Sequence, residues 1–291
     1  MSTHTLAWQG WHLAVPADWN PVKIDGDYDS GSVLLADLHA ARLGLRWKKA
    51  AKRGDPDAWA VRSLRDEVGK LATDEAKDLP LPDGGAWSVS RLYQDPDPPG
   101  RDVWVGHSRP SNRVLQIVYH ATKRGTAFPR DILPTLSDTA ADAPHRWAVF
   151  DLSLETPPGM RVQWYRFNAG DLALGLVGKG SKHVTLVRQI GPAALALARQ
   201  PLAAWLTNLP TTTRKLYRAV RETDVATLGD LVGLRATLVR KRRLWWAWPV
   251  PRWQTILALH DEKRDRLIAG QAVDEASLRS LLLTLGVSVS D

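Results

Sequence analysis

The chain has 291 residues, a formal net charge of +8 (39 Lys+Arg against 31 Asp+Glu) and no cysteine. Without thiols it forms no disulfide, thiolate zinc site or iron–sulfur cluster and has no cysteine nucleophile. At 44% hydrophobic and 24% charged it has a globular composition, and it is long enough for two cores.

The N-terminal stretch lacks the basic start and continuous apolar core of a signal peptide. The longest candidate for a membrane span, residues 190–209, contains Pro192, Arg199 and Pro201. A cytoplasmic location without a transmembrane segment is expected. The positive charge is spread along the chain, so general solubility accounts for it as well as an anionic partner does.

In chain order, alternating apolar and polar residues predict strands over 11–15, 32–38 and 43–47. Asp25-Gly26-Asp27 and Asp29-Ser30-Gly31 are turn signals. A helix is predicted over 55–71, with Trp59, Leu64, Val68 and Leu71 near one face and Asp55 or Asp57 as cap. Strands follow over 87–93, 103–109 and 113–120, then a closing helix over 129–139. The second half carries a helical run after Pro192 that Pro201 must kink or split. Strands are predicted over 216–221, 231–240, 255–261 and 266–272. A last helix over 274–285 starts at Asp274 and lines up Leu278, Leu281, Leu282 and Leu285.

The two halves echo each other. Residues 11–47 match 152–188 at an offset of about 141 residues, too long for a solenoid period and suited to a duplicated domain. Pro16 corresponds to Pro157, Leu13 to Leu154, Trp19 to Met160, Gly31 to Gly170, Leu34 to Ala173 and Leu45 to Leu186. The expected fold class is α+β: two similar tandem domains, 1–144 and 145–291, each an antiparallel sheet packed against helices. The junction falls at Ala140-Ala141-Asp142-Ala143-Pro144.

The opening Leu13-Ala14-Val15-Pro16-Ala17-Asp18-Trp19, with its echo Leu154-Glu155-Thr156-Pro157-Pro158-Gly159-Met160, resembles the start of PsbP-like domains. The echo departs from that pattern at Met160. The resemblance implies a first strand ending at a Pro turn, an extended hairpin and helices flanking an antiparallel sheet. It also implies a binding or assembly role rather than catalysis, because most members of that group have one.

The most unusual segment spans residues 240–253. Arg240, Lys241, Arg242, Arg243 and Arg252 are interleaved there with Trp245, Trp246, Trp248 and Trp253. Such a mixture suits a protein interface, where Trp and Arg dominate the binding energy. It also suits phosphates and unpaired bases or, least favoured, a membrane surface. The ordinary reading is a β-hairpin with wet cations and tryptophans covering the sheet. The chain uses Trp heavily, at 14 positions, mainly as a core residue.

His260, Asp261 and Asp265 are nitrogen and oxygen donors of a kind that metals accept, but they read better as a charged turn between strands. Asp25, Asp27, Asp29 and Ser30 lack the rest of a calcium loop. Residues 175–182 have Gly, Lys and Ser without phosphate-loop spacing, and read as a hairpin turn. No Gly-x-Ser-x-Gly elbow or His-Glu-x-x-His helix occurs. No catalytic residue and no cofactor is predicted. The expected function is a non-enzymatic binding or assembly factor with a protein partner. A nucleic-acid binder using residues 240–253 is the first alternative, and an enzyme with an inter-domain site the second.

Overall fold

The computed structural model describes residues 2–51, 58, 82, 85–93, 101–120, 131–208, 217–240 and 251–285. It is predominantly strand. It has antiparallel sheets and, lying wholly among the described residues, three short α-helices. The α+β expectation, with helices packed on a sheet in both halves, is therefore corrected.

The first unit, Met1–Asp151, contains β1 (Thr3–Trp8), β2 (Trp11–Pro16), β3 (Asn20–Gly26), β4 (Ser30–Ala36) and β5 (Ala41–Lys49). It continues with β6 (Trp87–Tyr93), β7 (Arg101–Ser108), β8 (Arg113–His120), β9 (Ser137–Asp138) and β10 (His145–Val149). Within this unit β10, β1, β2 and β9 lie side by side in one sheet. The order β3-β4-β5-β8-β7-β6 makes a six-stranded sheet. Apart from Ala58, which is helical, the helix expected over 55–71 lies outside the described residues.

The helix expected over 129–139 is absent where that segment is described. Pro134 lies in a 3-10 turn, Leu133–Thr135, and Ser137 and Asp138 then pair with β2. A proline lacks the amide a helix interior needs, and the Asp138 carboxylate has a buried partner in Arg113 that a helix would forfeit. Residues His145–Val149 join the first unit because Ala148 pairs with Ala7 of β1. The compact units thus divide after Asp151, later than the proline-terminated junction suggested.

The second unit, Leu152–Asp291, contains β11 (Leu152–Thr156), β12 (Arg161–Asn168), β13 (Asp171–Val177) and β14 (Val184–Ile190). Helices α1 (Ala193–Arg199) and α2 (Leu202–Asn208) follow, broken at Pro201 as its missing donor requires. Then come β15 (Tyr217–Leu228), β16 (Leu231–Arg240), β17 (Trp253–Asp261), β18 (Arg266–Ala272) and α3 (Glu275–Leu283). The sheet order is β12-β13-β14-β18-β17-β16-β15.

The helices cover parts of both faces of this sheet. Leu206 of α2 packs with Ala236, Ile256, Ala258 and Ala269, while Leu278 and Leu282 of α3 press on Gly270. Neighbouring strand residues point to opposite faces, so β18 is buried almost throughout. Asp274 caps α3 by accepting from the amides of Ala276 and Ser277.

The same strand plan occurs in both units. A meander, β3-β4-β5 or β12-β13-β14, meets the last strand of a second meander, β8-β7-β6 or β18-β17-β16. The second sheet adds β15 at its edge. Both first hairpins carry a β-bulge at one place, where the ladder skips Val22 in β3 and Gln163 in β12. Those residues are as far apart as Pro16 and Pro157. By this register Leu34 stands where Gly175 does, Gly31 where Leu172 does, and Leu45 where Val187 does. The matches of Gly31 to Gly170 and Leu34 to Ala173 are two residues out, and that of Leu45 to Leu186 is one out.

Candidate functional site

In the basic, Trp-rich segment the ladder between β16 and β17 runs to its base. Val239 faces Trp253, and the Arg240 amide donates to the Arg252 carbonyl at 2.9 Å. Arg252 is exposed, and its guanidinium lies 4.5 Å from the centre of the Trp253 ring. Trp253 is 52% exposed, whereas Trp8, Trp11, Trp47, Trp104 and Trp147 are at most 2% exposed. Arg240, Arg252 and Trp253 are therefore brought together. Lys241, Arg242, Arg243, Trp245, Trp246 and Trp248 lie outside the described residues.

The metal candidates serve a turn. His260 ends toward Glu262 at 3.9 Å. Asp261 accepts from the Arg264 amide at 3.2 Å, and Asp265 accepts from the Ala194 amide at 2.7 Å, which ties the turn to α1. Among the described residues no group of three His, Asp or Glu side chains is placed to hold a metal. Asp27 accepts from the amides of Asp29 and Ser30, closing the acidic loop as a polar turn. Residues 178–181 also turn, with the Ser181 amide donating to Gly178 at 3.0 Å before β14.

Sequence reasoning missed a buried polar cluster in the first unit. Arg113 and Asp138 are an ion pair with fully buried side chains. The Arg113 guanidinium also donates to the carbonyls of Gln9 at 2.8 Å and Tyr28 at 2.6 Å, and lies 4.2 Å from the Tyr28 ring centre. The Tyr28 hydroxyl donates to the Thr139 carbonyl at 2.6 Å, and its ring stacks on His145 at 5.4 Å. Burial pushes the Tyr28 phenol up to about 12, against the pull of Arg113. Every group named here has a partner, so the cluster positions strands rather than offering a reactive atom.

A second missed constellation is partly open to solvent. Ser88 is the residue skipped by the β6–β7 ladder, between Trp87 opposite Ser108 and Val89 opposite His107. That bulge leaves Ser88 exposed while its hydroxyl contacts His107 Nδ1 at 2.5 Å. On the other side of the ring, Nε2 meets the Asn112 carbonyl oxygen at 3.1 Å. Asn112 sits in the β7–β8 turn at φ +52°, and its own carbonyl accepts from Ala50 at 2.8 Å. The sequence gives no spacing motif for this trio, because a bulge and a turn bring it together.

No family model, curated protein or solved structure matches this chain. Among the described residues no helix is long and apolar enough to cross a membrane.

Proposed function

We propose that this chain is a binding or assembly factor that contacts another protein through the β16–β17 end of its second unit. The observation that supports this reading is Trp253, half exposed under the Arg252 guanidinium and beside Arg240, in a chain that otherwise buries most of its described tryptophans. Trp and Arg are the side chains that most often dominate a protein interface. The recurring strand plan and the PsbP-like opening of each half fit duplicated domains, the second of which has an extra edge strand, β15, and the basic, Trp-rich sequence between β16 and β17. The resemblance implies binding roles rather than catalytic ones.

The test places a photo-crosslinking amino acid at position 253 of the full chain in its host. A discrete crosslinked protein is expected, absent when the crosslinker replaces the exposed Val22 of the first unit. A titration with single-stranded oligonucleotide at low salt decides the rival reading. Indole quenching that disappears in Trp253→Phe and weakens steeply with salt would make nucleic acid the partner instead.

A further inference from the structure

The first unit holds chemistry that a binding role leaves unused. Ser88, His107 and Asn112 form a hydrogen-bonded line, with 2.5 Å between the serine oxygen and Nδ1 and 3.1 Å between Nε2 and the asparagine oxygen. The direction of that line follows from its far end. An amide oxygen accepts only, so Nε2 must carry the ring proton. Nδ1 of the neutral imidazole is then a lone pair, and it faces the Ser88 hydroxyl as an acceptor. His107 is 7% exposed, so the ring is shielded, while Ser88 opens to solvent. A nucleophile at a base, and the base oriented by a third group, is the arrangement that activates a hydroxyl.

We infer that Ser88 is an acyl-accepting nucleophile, with His107 as its general base and Asn112 as a positioning residue. The substrate class is an activated ester that reaches the exposed face of β6. As the Ser88 oxygen bonds to the acyl carbon, its proton passes to His107 Nδ1, and the carbonyl π pair moves onto oxygen. Collapse of that adduct breaks the bond to the alcohol oxygen, which leaves with the proton from Nδ1. Water then repeats the two transfers, releasing the acid and restoring the serine. The balance is ester plus water to acid plus alcohol, with no redox change.

The probe is a fluorophosphonate, which forms a bond from the serine oxygen to phosphorus as fluoride leaves. Intact mass and peptide mapping on the full chain should show one adduct at Ser88, absent in Ser88→Ala. Loss of the base in His107→Gln should slow labelling about 100-fold or more. Asn112→Ala removes the acceptor that orients the ring through Nε2, so labelling should slow several-fold while the urea midpoint stays in place. A merely structural asparagine would lower the midpoint and leave the labelling rate of the folded chain unchanged. Because Ser88 is exposed, Ser88→Ala should fold even if His107→Gln does not. A folded wild-type chain that gains no adduct at Ser88, or a Ser88→Ala variant that labels equally, overturns the inference.

Discussion

Trp47 of β5 lies across the ladder from Gly31 of β4, and its indole occupies the space a Cβ on Gly31 would need. Trp164 covers Gly175 in the same way between β12 and β13. Trp104 and Trp87 cover Gly106 on β7. Aromatic–glycine contacts, two of them directly across the ladder, thus explain part of the chain's tryptophan content, since a bare glycine lets the ring lie flat on the sheet and shield the backbone.

Gly31→Ala, Gly106→Ala and Gly175→Ala should each destabilise their unit by about 1–3 kcal/mol through overpacking. Gly44→Ala is the control, because its nearest neighbours would stand 4.0 Å from the new carbon. Urea unfolding midpoints of the four variants check this. Equal midpoints for Gly44→Ala and Gly31→Ala would contradict it.

Arg113 ties Asp138 and two carbonyls together in the buried interior of the first unit. Arg113→Met, which strands the carboxylate, should cost about 3–5 kcal/mol. The double variant Arg113→Met with Asp138→Leu should recover part of that loss, since paired removal leaves no buried charge. Denaturant melts of both variants read the difference.

His145 is held neutral. Burial pushes its imidazole below the ordinary 6.5, outweighing the opposite pull of the Ala140 carbonyl at 2.9 Å. The unfolded chain therefore takes up a proton before the folded chain does. The stabilisation is complete above pH 6.5 and declines as pH falls below that value. His4, also lowered by burial, adds a slope of the same sign. The slope of stability between pH 7 and 5 should be shallower in His145→Gln, though not abolished. An unchanged slope would remove His145 from the account.

Asp37 works at lower pH. Hydrogen bonding by Arg42, with help from the amides of His39 and Ala40, lowers its carboxyl to about 2. That stabilisation is present above pH 3.8 and is lost as pH falls from there toward about 2. In Asp37→Asn the acid-unfolding curve should lose its component in that window, as followed by circular dichroism.

Much of the strand plan is legible locally. The strands predicted over 113–120, 231–240 and 266–272 coincide with β8, β16 and β18, Pro201 splits α1 from α2, and Asp274 marks the start of α3. The failures share one physical cause, which is contact between distant residues. Ser137 and Asp138 leave a helical reading because β2 and Arg113 claim them. Gly31 and Gly170 look equivalent by identity, yet one lies under Trp47 and the other makes a tight turn at φ +73°. Ser88 meets His107 only through a bulge, a register detail that no local pattern encodes.

The central claim, that the second unit binds a protein through its β16–β17 end, has one direct measurement. The partner captured at position 253 is purified, and its affinity is compared for the wild-type chain and Trp253→Ala by titration calorimetry. If Trp253 is a binding anchor, the dissociation constant should rise about 30-fold or more, equivalent to about 2 kcal/mol. An unchanged affinity, with Trp253→Ala folded, would contradict it.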